Sequence, residues 1–204
     1  DYKSKITHAN LNGSFASPSL TDLASAQLFL KDMEGELNGK SFKANLSIRE
    51  FNSPYIIFDF KGDLDAASIY NFYPIEDLTD LTGLLTADIS FEGKTALLKK
   101  KATAQRVITN GAIGLTNINF TYGKQKIRFR DINGSLQFNN NDLALSNVGG
   151  YFENSDFLLN GFFKNIITFL IFENQPIGIE TDLKSNFLDL DQLFYLAQEP
   201  RLVA

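Results

Sequence analysis

The side chains able to do chemistry are few and scattered. His8 is the single histidine, and no cysteine occurs among the 204 residues. That excludes disulfides, thiolate nucleophiles, zinc ribbons, iron–sulfur clusters and any site that needs two imidazoles. His8 has no sequence-level partner for nucleophilic catalysis or metal binding, so its expected role is structural. Two acidic pairs, Asp63/Asp65 and Asp189/Asp191, offer hard oxygen donors. No Asp-x-Asn-x-Asn-Gly loop or later glutamate accompanies them, and helix capping is what they are expected to do. The run Asn139-Asn140-Asn141-Asp142 reads as a hairpin tip. Lys126, Arg128 and Arg130 form a basic stripe opposite Ile127 and Phe129. Either it is a solvated outer face balanced by neighbouring acids, or it meets an anionic headgroup or partner. Carboxylate pairs for glycoside hydrolysis depend on spatial separation, and no pair stands out. A P-loop, a Gly-x-Ser-x-Gly elbow and a Gly-x-Gly-x-x-Gly turn are all missing. The expectation is a protein without catalytic residues, cofactor or metal.

The bulk composition is that of a folded domain. Hydrophobic residues make up 44% and charged residues 21%, which argues against disorder. A net charge of −5 argues against a nucleic-acid binder, which carries a basic footprint. The chain begins at Asp1 without the basic–apolar–small plan of a signal peptide, and reads as a piece of something longer. Its longest apolar stretch, Phe162 to Phe172, is interrupted by Lys164 and Asn165 and is too short to span a bilayer.

Period-two alternation dominates. Phe42, Ala44, Leu46 and Ile48 alternate with Lys43, Asn45, Ser47 and Arg49; Leu85, Ala87, Ile89 and Phe91 alternate with Thr86, Asp88, Ser90 and Glu92. The stretch from Ile177 to Phe187 does the same. One dry face and one wet face make antiparallel sheet the prediction, since parallel strands read as continuous apolar runs. Strands are expected over 5–15, 26–37, 41–51, 55–63, 83–93, 111–121, 125–130, 132–138, 142–147, 150–161 and 176–187. Asn38-Gly39 predicts a hairpin turn, and Asn133-Gly134 and Asn160-Gly161 predict bulges or close backbone approach inside strands. Short helices are expected from Asp65 to Phe72 and from Asp189 or Asp191 through Leu196. Phe162 to Phe172 is expected as a short helix or irregular crossover. The two capped helices follow similar strand-end sequences, Gly62 to Phe72 and Ser185 to Phe194, and suggest a repeat. Lys94 to Arg106 shows no strand period and reads as an exposed linker or short helix. The organisation is therefore 1–98 as an N-terminal β half, 99–110 as linker and 111–204 as a C-terminal β half.

The apolar side of these strands is the strongest lead. It carries Phe42, Leu46, Ile48, Ile56, Phe58, Phe60, Leu85, Ile89, Phe91, Ile132, Leu136, Phe138, Phe157, Leu159, Ile177, Ile179 and Leu183, with few helices to cover them. Two sheets packed as a sandwich would hide that surface. One strongly curled sheet would instead leave an open apolar groove for a lipid or a partner.

The segments Gly111 to Phe120, Ile132 to Phe138, Leu143 to Gly150, Ser155 to Gly161, Lys164 to Leu170 and Leu183 to Asp191 follow one another in an order that resembles the C-terminal region of AsmA-like proteins. Pro54 to Lys94, with Phe60-Lys-Gly-Asp-Leu-Asp65 and Leu81 to Gly93, is similar to the preceding repeats of that family. The resemblance spans residues 35 to 196. It implies kinship with TamB and the bridge-like lipid-transfer proteins: an inner-membrane anchor, missing from this chain, and a periplasmic β-rich body whose groove conducts phospholipid in outer-membrane biogenesis. The partners it implies are phospholipid or another lipid, the membrane through that anchor, and envelope proteins, with no nucleic acid. It implies no enzyme and brings no catalytic residues. The groove candidates are the apolar residues named above.

Overall fold

The computed structural model describes residues 5–19, 21, 23–72, 75–98, 101–172 and 175–191. Its strands are β1 (Ile6–Ala16), β2 (Gln27–Leu37), β3 (Lys40–Arg49), β4 (Tyr55–Asp65), β5 (Leu78–Lys94), β6 (Ile108–Tyr122), β7 (Ile127–Asn139), β8 (Asp142–Phe152), β9 (Ser155–Lys164) and β10 (Gly178–Lys184). Short helical segments are α1 (Ala66–Phe72), α2 (Thr95–Leu98), α3 (Lys101–Ala104) and α4 (Ile166–Ile171). All ten strands belong to one antiparallel sheet in sequence order, β1 at one edge and β10 at the other. The mainly β, antiparallel fold read from the alternation is what the chain adopts, as a single open sheet that does not close into a barrel. A second sheet packed face to face, the sandwich alternative, is absent among the described residues because every strand pairs within the first.

Turn chemistry sets the register. Asn38 and Gly39 both take positive φ, 51° and 78°, as the tight turn joining β2 to β3 demands. Asn140 and Asn141 form the equally short turn between β7 and β8. Glycines 134 and 161 lie inside strands, each with a Cβ position within 3 Å of the neighbouring backbone, as the Asn-Gly reading anticipated.

Two boundaries differ from those read in the sequence, and one open reading resolves. The segments 125–130 and 132–138 are one strand, β7, carrying a bulge at Asp131 (φ 53°) that disrupts the alternation midway. The segment 150–161 is split by a turn at Glu153 (φ 48°), so Gly150 to Phe152 close β8 and Ser155 opens β9. Sequence alone hides that turn because Glu-Asn is not a strong turn pair. Finally, of the two readings of Lys94 to Arg106, exposed linker or short helix, helix is the one that forms: α2 and α3 lie there, and Leu98 and Ala104, with Val107 just beyond, are fully buried. Leu98 ends one helical turn, Ala104 ends another and Val107 lies outside both, so a period-two search cannot find them. The helix expected at Asp189 or Asp191 through Leu196 lies mostly outside the described residues.

Two clusters form the core. In the first, Leu98, Ala104, Val107, Leu143, Ile166 and Ile167 bring α2, α3 and α4 together over β8. In the second, Ala66 of α1 meets Ile118, Ile132, Leu145 and Val148. A buried polar node stitches the first cluster. Asn141, 1% exposed, donates through Nδ2 to Asn165 Oδ1 at 2.6 Å and to Thr168 Oγ1 at 3.0 Å. Its Oδ1 accepts the Thr168 amide at 3.0 Å, and Thr168 Oγ1 donates to the Leu98 carbonyl at 3.2 Å.

The segment after β10 is held by one carboxylate. Asp156 accepts the Asn186 amide at 2.9 Å and the Phe187 amide at 2.7 Å, together with the Ser185 hydroxyl at 3.0 Å and Asn186 Nδ2 at 2.8 Å. These donors, the Phe187 amide foremost, pull the Asp156 carboxyl down to about 2. A depressed carboxyl stabilises the folded form above its unfolded pKa near 3.9 and loses that contribution as pH falls towards the folded value. The clamp is therefore expected to persist at pH 5 and to release only between about pH 4 and 2. Amide chemical shifts of Asn186 and Phe187 followed by NMR check this. A midpoint above pH 4 for those two resonances contradicts it.

Candidate functional site

The register turns the apolar residues into continuous rows running across the strands. One row is Met33, Ala44, Phe60, Ile89, Gly111, Phe138, Leu143, Phe163 and Ile179, from β2 to β10. Beside it runs Leu30, Leu46, Phe58 and Phe91, and beyond that Leu28, Ile48 and Ile56. On the other flank, Leu85 pairs with Leu115, and Val148, Leu159 and Leu183 continue in β8 to β10. Phe42, Ile132, Leu136 and Phe157 share this side. Ile177 precedes β10 and packs against the first core cluster. The predicted groove residues within strands thus occupy one face of one sheet.

That face is not uniform. Over β5 to β9 it is covered at both strand ends, α1 on one side and α2 to α4 on the other. Ile132 is buried there, and Phe91, Leu136, Phe138, Phe157 and Leu159 pack against the two clusters. Over β2 to β4 the described helices reach only the turn end, where Asn38 Nδ2 donates to Ser68 Oγ of α1 at 2.7 Å, and Phe42, Leu46, Ile48, Ile56, Phe58 and Phe60 are half-buried. Phe42 and Phe60 stack with ring centroids 6.0 Å apart, and Phe58 and Phe60 at 6.4 Å. At the edges the apolar side is open: Leu11 and Phe15 of β1 are each 51% exposed, and Ile179 and Leu183 of β10 are 60% and 56% exposed. The apolar rows cross the strands, flanked by helices at both strand ends over β5 to β9.

The opposite face is wet and charge-balanced. Lys61 pairs with Asp88 at 2.6 Å, Lys43 with Glu34 at 3.4 Å and Lys164 with Glu180 at 2.6 Å, each across neighbouring strands. The Tyr55 hydroxyl donates to the Glu92 carboxylate. A depression of about 390 Å³ on this face is lined by Lys43, Asn45, Asp59, Lys61, Asp88 and Asn110. Its lining carries four acids, Asp32, Glu34, Asp59 and Asp88, against two lysines, Lys43 and Lys61, which pair with Glu34 and Asp88.

The other chemical candidates resolve into structural partners. His8 lies 3.4 Å from Glu36 on an open surface. Asp63 accepts from the Thr86 hydroxyl at 2.8 Å, and Asp65 from Ser68 at 3.3 Å. Arg128 pairs with Glu153 at 3.0 Å, and Arg130 lies over the Tyr151 ring and donates to the Glu153 carbonyl. The guanidinium of Arg128 holds the Glu153 carboxyl below the usual range. Among the described residues no group of three metal-ligating side chains comes together, and no helix is long and apolar enough to cross a membrane. The sequence reading missed the buried Asn141–Asn165–Thr168 node, for which the only signal was the asparagine-rich turn.

Compared with family models, curated proteins and solved structures, the chain matches none.

Proposed function

We propose that the protein handles phospholipid, acyl chains lying in the apolar trough and headgroups at its open rim, as the resemblance to AsmA-like proteins implies. What supports the reading above all is the row from Met33 to Ile179, apolar almost throughout, on a sheet that stays open. Burying acyl surface there gains about 25 cal/mol per Å² removed from water. Because the rows repeat, neighbouring positions hold a hydrocarbon chain about equally well, and such a surface lets a lipid slide. In this reading no covalent step occurs. The protein acts in the periplasm of a diderm envelope, tethered to the inner membrane and handing lipid towards the outer one.

The helix-covered stretch over β5 to β9 favours a second reading, a scaffold whose apolar face is only core. Uptake of a chain-labelled fluorescent phospholipid by delipidated protein separates the two. Phe58 lies between Leu46 and Phe91 in its row and belongs to neither core cluster, and Phe58→Glu puts a charge against the acyl path. Uptake is expected to fall at least ten-fold in Phe58→Glu, with Lys43→Glu on the wet face close to wild type and far-UV circular dichroism unchanged in both. Failure of the wild-type protein to take up any phospholipid rejects the lipid reading in favour of the scaffold.

A further inference from the structure

The bulges of the sheet's interior obey a common pattern. Asn117 in β6, Asp131 in β7 and Asn147 in β8 adopt φ of 49°, 53° and 50°. On one flank of each stands a glycine in the adjacent strand. A Cβ on Gly83 would lie 2.5 Å from the Asn117 carbonyl oxygen, one on Gly150 2.7 Å from that of Arg130, and one on Gly134 2.8 Å from that of Asn147. On the other flank an asparagine side chain accepts the bulge amide: Asn133 for Asn117 at 3.0 Å, Asn119 for Asp131 at 2.9 Å, Asn160 for Asn147 at 2.8 Å. Asp32 in β2 (φ 50°) has the asparagine half of the same arrangement, Asn45 of β3 accepting its amide at 2.9 Å. Glycine makes room for the bulged backbone, and the amide oxygen satisfies a donor the ladder has lost.

At the free edge this pattern is cut in half. His8 in β1 has φ 51°, and the pairing with β2 shifts between Thr7 and Asn10 as at the interior bulges. Its glycine is present: a Cβ on Gly35 would lie 3.2 Å from the Thr7 carbonyl oxygen. Its asparagine is not: among the described residues no strand stands on that side and no side chain accepts the His8 amide. The two edges also differ in protection. β10 carries Glu180, Asp182 and Lys184, whereas β1 contains no proline and no charged residue apart from His8. Charges and prolines are how edge strands repel further pairing.

We infer that the β1 edge docks an added strand, antiparallel to β1, apolar on the side of Leu11 and Phe15 and bearing an asparagine opposite His8. The occupant is an extended polypeptide segment of that chemistry, and the join continues the interior strand interfaces across the edge. Affinity comes from main-chain hydrogen bonds, and register from the asparagine.

A fluorescein-labelled peptide with the sequence of Lys40–Arg49, which already places Asn45 against a bulge in β2, serves as probe, read by fluorescence anisotropy. Saturable binding is expected, weakened about five-fold by Asn45→Ala in the peptide. Methylating alternate peptide amides should abolish binding in one set and spare it in the other, since only one edge of the peptide meets β1. These changes leave the protein itself untouched. Binding indifferent to both methylated sets places the peptide elsewhere, the apolar trough included, and overturns the inference. So does no binding at all, or self-association in sedimentation velocity that the peptide does not compete away, which would give the edge to a second copy.

Discussion

Gly111→Ala is expected to destabilise the protein by about 4 kcal/mol, combining an overpacked contact with a left-handed backbone. Gly111 sits in the middle of the apolar row with φ 113°. A Cβ there would stand 2.0 Å from the Asp88 carbonyl oxygen and 2.7 Å from Ile89 Cα, both backbone atoms of β5 that cannot swing away. Relief requires β5 and β6 to separate, which opens the pairs Asp88–Ala112, Ile89–Gly111 and Ser90–Asn110. For a chain of this size the loss corresponds to a fall in Tm of about 10 °C. Gly114→Ala, three residues on, is the matched control: its Cβ meets nothing nearer than 3.8 Å, and its effect is expected to stay within about 0.5 kcal/mol. Urea unfolding of the two variants checks the contrast. A Gly111→Ala protein within 1 kcal/mol of wild type would mean that β5 and β6 approach less closely at Gly111 than described.

Asn141→Leu, similar in volume, is expected to cost about 3 kcal/mol, because it strands hydrogen-bonding groups of Asn165 and Thr168 in a dry interior. The node ties the β7–β8 turn to α4 and, through Thr168, to the end of α2. Its loss is therefore expected to loosen the helical wall on that side before the sheet itself. Hydrogen exchange at the Thr168 amide should quicken more than exchange in β3 or β4. Pairing Asn141→Leu with Thr168→Val in a double-mutant cycle should give a coupling above about 1 kcal/mol. Strict additivity would show that the two side chains do not depend on one another.

Much of the fold was legible in the sequence because alternation needs only local information. Lys43 and Phe42 declare opposite faces whatever they meet, and so do Asp88 and Ile89. Asn38-Gly39 fixed its own turn. What local pattern cannot carry is which faces meet. Whether the Phe58 side would seal against a second sheet was undecidable from alternation, since both outcomes need the same residues. Leu98, Ala104 and Val107 escaped notice because their burial is created by Leu143, Ile166 and Ile167, far along the chain. The bulge at Asp131 escaped because its cause, Asn119, lies on the neighbouring strand. The groove candidates share one face of the sheet through their common parity, but how much of that face is covered depends on where α1 to α4 fold over.

Each strand of this sheet pairs only with those next to it in sequence, and its apolar rows run across them. Its span is thus a matter of counting: nine steps of about 4.8 Å give about 43 Å, close to the full thickness of a lipid bilayer with its headgroups. Duplicating one hairpin would lengthen that ruler by roughly 10 Å and leave its cross-section alone. Reach can therefore be tuned by copying a short stretch of gene, without redesigning a single cavity.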